Sequence, residues 1–437
     1  MNGYIFKADS NIALNKKKVI AKRTLGSYLF RTIILFFYLF EVQVINTSSL
    51  FSSRKIIFVS FCILIPFMSR QLHEFRIFLQ KDKYIKELCA LQIIIIIYAY
   101  FLSLYWSNKA GSSMMPYLIS FLLYVCIGVP LFYVFFKDTN EFLNCLIGAC
   151  VLQAIITILQ YTSLDFRIFL HSTFVDVHNT SYLKTGRAVG LSAGGATLSL
   201  YFFVGMLACV YFIFLKKNNS IYLFIYGLLL VTSILAGTTG FIMGIVLLVL
   251  LLYRLVLKVQ VKKIVNFLLI GTILLIIFFQ FYHNDSILRT NAFENSFNKI
   301  WEQFFEEESI GTLEHIAYNQ ITAPISAETI VGTSIYKGTT VNGTVSTSDS
   351  GYVRTYFGIG LIAAIIFYIN VFIQMYKEMR FTTDKNIRWL LLFYIISIFI
   401  TEYKEPFIFK CVMPFVFFLW CVLLRKETDI KEFQELN

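Results

Sequence analysis

The sequence predicts an all-α polytopic membrane protein of about twelve transmembrane helices, and three observations predict it. Of 437 residues, 57% are hydrophobic and 15% charged, against roughly 45–50% and 25% in a soluble domain. The apolar residues come in blocks, many of them 17 residues or longer and nearly free of charge, a length that matches a hydrocarbon layer of about 30 Å. The Lys and Arg residues cluster in the short stretches between those blocks, as in chains oriented by cytoplasmic basic loops.

The same observations exclude other classes. A net charge of +12 would suit nucleic acid, but no soluble segment interleaves basic and aromatic residues, so no nucleic-acid partner is expected. Cys62, Cys89, Cys126, Cys145, Cys150, Cys209, Cys411 and Cys421 all lie in or beside apolar blocks and form no CxxC pair. They read as small core residues, without a disulfide framework or a thiolate metal site. The first apolar block follows a polar start and lacks a small-residue cleavage site, so it reads as a retained span.

The expected spans are 28–45, 53–69, 88–106, 115–136, 142–161, 188–215, 221–236, 239–257, 264–282, 352–375, 388–402 and 406–424. Residues 1–27 and 426–437 read as cytoplasmic tails around a transmembrane domain over 28–425. The seventh and eighth spans form one 37-residue apolar run, interrupted by Ala236-Gly237-Thr238-Thr239-Gly240. A single helix of that length would measure about 55 Å, so a tight turn and two spans are expected. With the N-terminus inside, 25 of the 38 Lys and Arg residues fall on the cytoplasmic side and 12 outside. Fusing the two spans would move Lys377, Arg380, Lys385 and Arg388 outside and weaken that bias.

Two long loops then face outward, about 26 residues from Thr162 to Arg187 and about 70 from Tyr282 to Gly351. In the second, Phe293, Phe297, Ile300, Trp301, Phe304 and Phe305 share one helical face, opposite Asn298, Lys299, Glu302, Gln303 and Glu306. That spacing predicts an amphipathic helix, either lying on the outer leaflet or capping the bundle. The Gly/Thr/Ser-rich stretch Gly332 to Ser350 reads as a mobile loop.

Three patterns on the outer side can carry chemistry. Gly186-Arg187-Ala188-Val189-Gly190, with Gly194 following, puts an Arg at a span mouth beside small residues that let helices approach. A guanidinium there can hold phosphate bidentately or simply anchor the span. Ser348-Asp349-Ser350-Gly351-Tyr352-Val353-Arg354, running into Gly358-Ile359-Gly360, offers Ser348 or Asp349 as a helix cap. It also places Arg354 about one turn into a span, where an ionisable group is a functional candidate or a snorkelling anchor. Glu402-Tyr403-Lys404-Glu405-Pro406, with Lys410 inside the last span, supplies further charge at a junction. His171, His178, His283 and His315 lie in the outer loops and only His73 inside, which offers acid–base groups near neutral pH. No HExxH, HxxxH or Asp-rich spacing is present, so no metal and no cofactor is expected. The sequence also lacks P-loop, GxGxxG and GxSxG patterns.

Arg-x-x-Gly opening a middle span, the Thr238-Thr239-Gly240 turn, one long outer loop, and Asp-Ser-Gly-Tyr heading a span with Gly-x-Gly occur in that order over residues 160 to 365. This combination resembles the Wzy-type O-antigen polymerases and the superfamily they share with O-antigen ligases. The resemblance implies a glycosyltransferase of the bacterial inner membrane with its active site facing the periplasm. It would move a growing glycan from undecaprenyl diphosphate to a lipid-linked repeat unit, often beside a separate chain-length regulator protein. Arg187 then matches the basic residue of the first periplasmic loop and Arg354 one near the end of the long loop. Many members carry an Arg in the turn occupied here by Thr238-Thr239, a place Lys404 or Lys410 would have to fill. Such cations would stabilise the diphosphate leaving group without a metal, and His315 or its rival Asp349 would act as base on the acceptor hydroxyl. Gly190, Gly194, Gly240, Gly351 and Gly358 would pack the helices that form the site. An O-antigen ligase and a lipid-linked oligosaccharide flippase are the alternatives, though a transporter would be expected to show internal repeats.

Overall fold

The computed structural model describes residues 25–48, 51–106, 112–174, 188–191, 194–215, 220–257, 326–339, 345–346 and 348–435. Apolar runs become helices α1 (Leu25–Phe40), α2 (Ser53–Leu64) and α4 (Lys83–Trp106), with the amphipathic α3 (Ser69–Lys81) between the last two. Next come the short strand β1 (Ser112–Ser113), α5 (Met115–Phe135), α6 (Thr139–Thr162) and α7 (Leu164–Thr173). α8 (Gly195–Leu215), α9 (Ser220–Ala236) and α10 (Thr238–Leu257) follow, then α11 (Ala327–Val331), β2 (Ile335–Thr339) and β3 (Val345–Ser346). The chain closes with α12 (Gly351–Ile359), α13 (Leu361–Arg380), α14 (Lys385–Glu402) and α15 (Val412–Glu435). Polar caps start several of them. Asp138 accepts from Glu141 N at 2.8 Å at the head of α6, and Asp384 does the same for Asn386 N at 2.7 Å at the head of α14.

Five of the described helices are long and apolar enough to cross a membrane, or six if α2 and α3 form one bent span. α1, α9 and α10 contain shorter apolar helices. This is the architecture of an all-α, multi-pass membrane protein. The apolar window of α8 is 94% buried and those of α4 and α13 only 28% and 33%. α8 is therefore the central pillar, packed by α6, α9, α10, α14 and α15. α4 and α13 turn broad Ile- and Phe-rich faces outward, toward lipid tails as apolar as themselves.

Every expected span contains a helix except 264–282, which lies outside the described residues, as do the amphipathic segment 293–306, Arg187 and His315. The break at Ala236–Gly240 is real: α9 ends at Ala236 and α10 begins at Thr238.

The span over 53–69 runs as α2 and a Pro66-containing 3-10 turn to Phe67, and the chain then bends by 106° into α3, a helix beyond it. Three expectations need correction. The span over 352–375 breaks at Gly360, whose φ of +88° is a conformation most side chains resist. The last helix starts at Val412, so Lys410 sits in the irregular segment before it. The stretch 332–350 is no featureless loop, because β2 pairs antiparallel with β1 (Ser113 opposite Ile335) and with β3 (Thr339 opposite Val345). Tyr336 pins that hairpin by stacking on Tyr117 of α5 at 3.7 Å between ring centres.

The loop from Thr162 also holds structure that hydropathy missed. α7 exposes Leu164, Ile168 and Phe169 while burying Arg167 and His171, so its apolar face is its outer face. That is how a helix lies at a membrane surface with its polar face turned into the protein.

The junctions divide between two ends of the bundle. At one, Arg425 of α15 pairs with Asp82 and with Glu378 (3.2 Å), and Lys426 with Glu74 (3.6 Å). Arg31 pairs there with Glu141 at 2.5 Å. Asp82 and Glu378 are almost fully buried, and a buried pair that loses one partner costs about 3–5 kcal/mol. The β1–β2–β3 sheet, the α9–α10 turn and the segment between α14 and α15 lie at the other end.

Candidate functional site

The second end gathers the cations that the sequence singled out. Arg354 rises from the first turn of α12, and three groups fix its guanidinium. Its Nε donates to Ser348 O at 2.9 Å, Nη1 to Tyr336 Oη at 3.4 Å, and Nη2 to Asp349 Oδ1. The guanidinium also lies over the Tyr336 ring, 5.0 Å from its centre. Burial pushes the Tyr336 phenol up, so the ring stays a neutral platform. Asp349 does not cap α12, since the helix starts from Ser350 without a side-chain cap. Its Oδ1 is shared by Arg354 and by Lys337 Nζ at 3.3 Å, which leaves Oδ2 toward solvent among the described contacts.

Lys404 and Lys410 come from the loop between α14 and α15, and both reach across the bundle. Lys404 Nζ donates to Thr239 Oγ1 at 2.9 Å, and Lys410 Nζ to Thr197 Oγ1 at 2.6 Å. Lys410 also pairs with Glu405 and lies 4.7 Å from the centre of the Phe407 ring. Thr239 heads α10 and Thr197 heads α8. Two ammonium groups therefore sit at two helix N-termini, whose dipoles favour an anion.

A buried carboxylate sets this loop, and sequence reasoning missed it. Glu402 is fully buried. One of its oxygens accepts from Tyr368 Oη at 2.9 Å and the other from Ile408 N at 2.8 Å. It lies against the Gly351 Cα, where a Cβ would strike its carboxyl group. Glu402 thus joins the loop of Lys404 and Lys410 to α13 and to the first turn of α12, which carries Arg354. In sequence it was one charge among four at a junction, and only the fold shows that it points inward.

The glycines act as close-packing points. A Cβ on Gly240 would run into the Ser199 backbone carbonyl, and Gly237 lies within 2.9 Å of the Gly195 backbone on the same measure. Gly358 packs on Met114. Gly190 and Gly194 have φ of +56° and +123° and both precede α8, which starts at Gly195, so they do not share a helical face as the expected span 188–215 implies. Gly190 N donates to Gln160 Oε1 at 2.7 Å, and Ala188 N to Leu235 O at 3.1 Å. The residue after Arg187 is thereby tied beside the α9–α10 turn that holds Lys404.

Gln153, Thr157 and Gln160 form a buried polar stripe on α6 facing Gly190. Neither side-chain heteroatom of Gln153 has a hydrogen-bond partner among the described residues, an expensive state inside an apolar bundle. The spacing of i, i+4 and i+7 along one helical face is the sequence signal for this stripe. No group of three His, Cys, Asp or Glu side chains with metal-holding geometry occurs among the described residues. Arg354, Lys404 and Lys410 thus lie toward one end of the bundle, each held by oxygen acceptors of neighbouring segments. Comparison of the chain with protein-family models, curated proteins and solved structures finds no match in any of the three.

Proposed function

We propose that this chain is a twelve-span inner-membrane glycosyltransferase that polymerises a surface polysaccharide at the periplasmic face. The donor is the growing glycan on undecaprenyl diphosphate, and the acceptor is a lipid-linked repeat unit. One observation carries the reading: Lys404 and Lys410 reach Thr239 and Thr197. The cationic charge of the resembled family's turn is thus supplied from a different segment. Arg354 stands on the adjoining α12, and Ala188, the residue after Arg187 in sequence, is tied to the α9 end. In this reading Lys404, Lys410 and Arg354 form a cationic recess, and the charge bias supports the sidedness, since the junctions rich in Lys and Arg gather at the opposite end.

In this reading the acceptor hydroxyl attacks the anomeric carbon of the donor glycan. The bond from that carbon to the phosphate oxygen breaks, and its electron pair leaves with the diphosphate. The hydroxyl proton passes to His315 or to the open oxygen of Asp349. Charge grows on the departing diphosphate, where fixed cations at low dielectric lower the barrier most. Positioning both lipid-linked substrates at one membrane depth supplies the rest.

The lipopolysaccharide ladder of a strain lacking this gene tests the proposal. Core carrying a single repeat unit, with the ladder restored by wild type but not by Arg187→Ala, is the expected outcome. Bare core with polymerised lipid-linked glycan accumulating would make the chain a ligase. Bare core with single units held on the cytoplasmic leaflet would make it a flippase.

A further inference from the structure

At the end opposite the cationic recess lies a cavity of about 470 Å³ between α1, α2, α5 and the bend into α3. Its wall is apolar, with Phe30, Ile57, Phe61, Met68 and Leu131 prominent, and it contains one charge, Arg31. Arg31 is 13% exposed. It gives one N–H to Glu141 Oε1 at 2.5 Å and lies 5.2 Å from the Phe135 ring centre. A guanidinium carries five N–H donors, and the remaining ones have no hydrogen-bond partner among the described residues. Donors left open beside an apolar cavity ask for a ligand that is both anionic and oily.

The surroundings say which. The bend exposes Phe67 (83%), Met68, Ile63 and Leu64, an apolar wedge at the mouth of the cavity. Along α3 and the start of α4, Arg70, Arg76, Lys83 and Lys86 are exposed. The acids of the same stretch are engaged, Asp82 by Arg425, Glu74 by Arg70 and Lys426, and Glu87 by Lys83 and Lys377, which leaves Arg76 and Lys86 without an acidic partner among the described ion pairs. An apolar wedge beneath a basic surface is the chemistry that holds an amphipathic helix on an anionic leaflet. The cavity is separate from the recess of Lys404 and Lys410. It lies at the Glu141 end of the 24-residue α6, and a helix of that length spans about 36 Å.

We propose that this cavity is a binding site for one anionic phospholipid of the adjacent leaflet. An acyl chain fills the space under the α2–α3 bend, and the phosphate meets the open face of Arg31. The lipid completes the wall between α1 and α2 and holds α3 at the surface. This site stands whether or not the chain is a glycosyltransferase.

The test uses the full chain, purified in mild detergent from membranes containing phosphatidylethanolamine and phosphatidylglycerol, with retained lipid extracted and weighed by mass. Wild type is expected to keep phosphatidylglycerol in stoichiometric amount, well above its share of the membrane. Arg31→Gln is expected to retain about tenfold less, the scale of one charge-assisted contact. Ser60→Trp, which fills the cavity and keeps Arg31, is expected to retain none, and it carries the test if Arg31→Gln does not elute as a folded monodisperse protein. Equal retention by wild type and both variants would overturn the proposal. So would lipid kept only in membrane proportion, or a polyprenyl phosphate as the retained species.

Discussion

Arg354→Ala is expected to slow polymerisation by about 10²–10³-fold, the cost of losing one preorganised donor at a developing oxyanion, while the protein accumulates at wild-type level. The guanidinium is held on three sides, by Ser348 O, Tyr336 and Asp349, so it pays little ordering entropy when a diphosphate arrives. Its removal leaves Asp349 with Lys337, so no buried charge is stranded and folding is spared. Arg354→Lys is expected to recover only part of the rate, since an ammonium cannot reproduce the planar fork. Incorporation of labelled repeat units by membrane vesicles, normalised to protein level, measures both. Wild-type rates for Arg354→Ala would remove this residue from the site.

The largest expected effect on stability is at Gly240. A Cβ there would overlap the backbone carbonyl of Ser199 on α8, and backbone cannot move aside as a side chain can. The same contact includes a hydrogen bond from Gly240 N to Ser199 Oγ at 3.0 Å. Gly240→Ala is therefore expected to cost at least about 3 kcal/mol, the upper range for overpacking a tight contact. Little folded protein should then survive extraction. Ser199→Ala removes this hydrogen bond and the one from Ser199 Oγ to Ala196 O at 2.8 Å, without any overlap, and is expected to cost about 1–2 kcal/mol. Melting temperatures of the two variants in one detergent compare them directly, and a Gly240→Ala chain as stable as Ser199→Ala would show that α8 and α10 do not pack this closely.

Much of this fold was legible because hydropathy reports composition. The break at Ala236–Gly240 followed from length and from the placement of basic residues, and the long apolar helices from apolar blocks, whereas the amphipathic α3 and α7 left no such block. What stayed hidden depends on backbone angles and side-chain direction. The Gly360 break needs a positive φ, and Gly-x-Gly looked like a packing motif. Stretch 332–350 has a polar composition, but its ordering comes from Tyr336 stacking on a distant helix. Lys410 was placed in a helix because the apolar run begins at Pro406, although its ammonium reaches Thr197 from a loop. Glu402 could not be told from its neighbours Lys404 and Glu405, since burial of one charge among several is decided by tertiary packing.

Lys404 and Lys410 are proposed to hold a diphosphate, and a binding measurement tests this without requiring turnover. Undecaprenyl diphosphate and undecaprenyl monophosphate would each be titrated onto the purified chain in lipid nanodiscs, for wild type and for the Lys404→Met/Lys410→Met double variant. Wild type is expected to prefer the diphosphate by about tenfold or more, or roughly 1.4 kcal/mol, and the double variant to bind both lipids equally weakly. Equal affinity of wild type for the two lipids, unchanged in the double variant, would contradict the account.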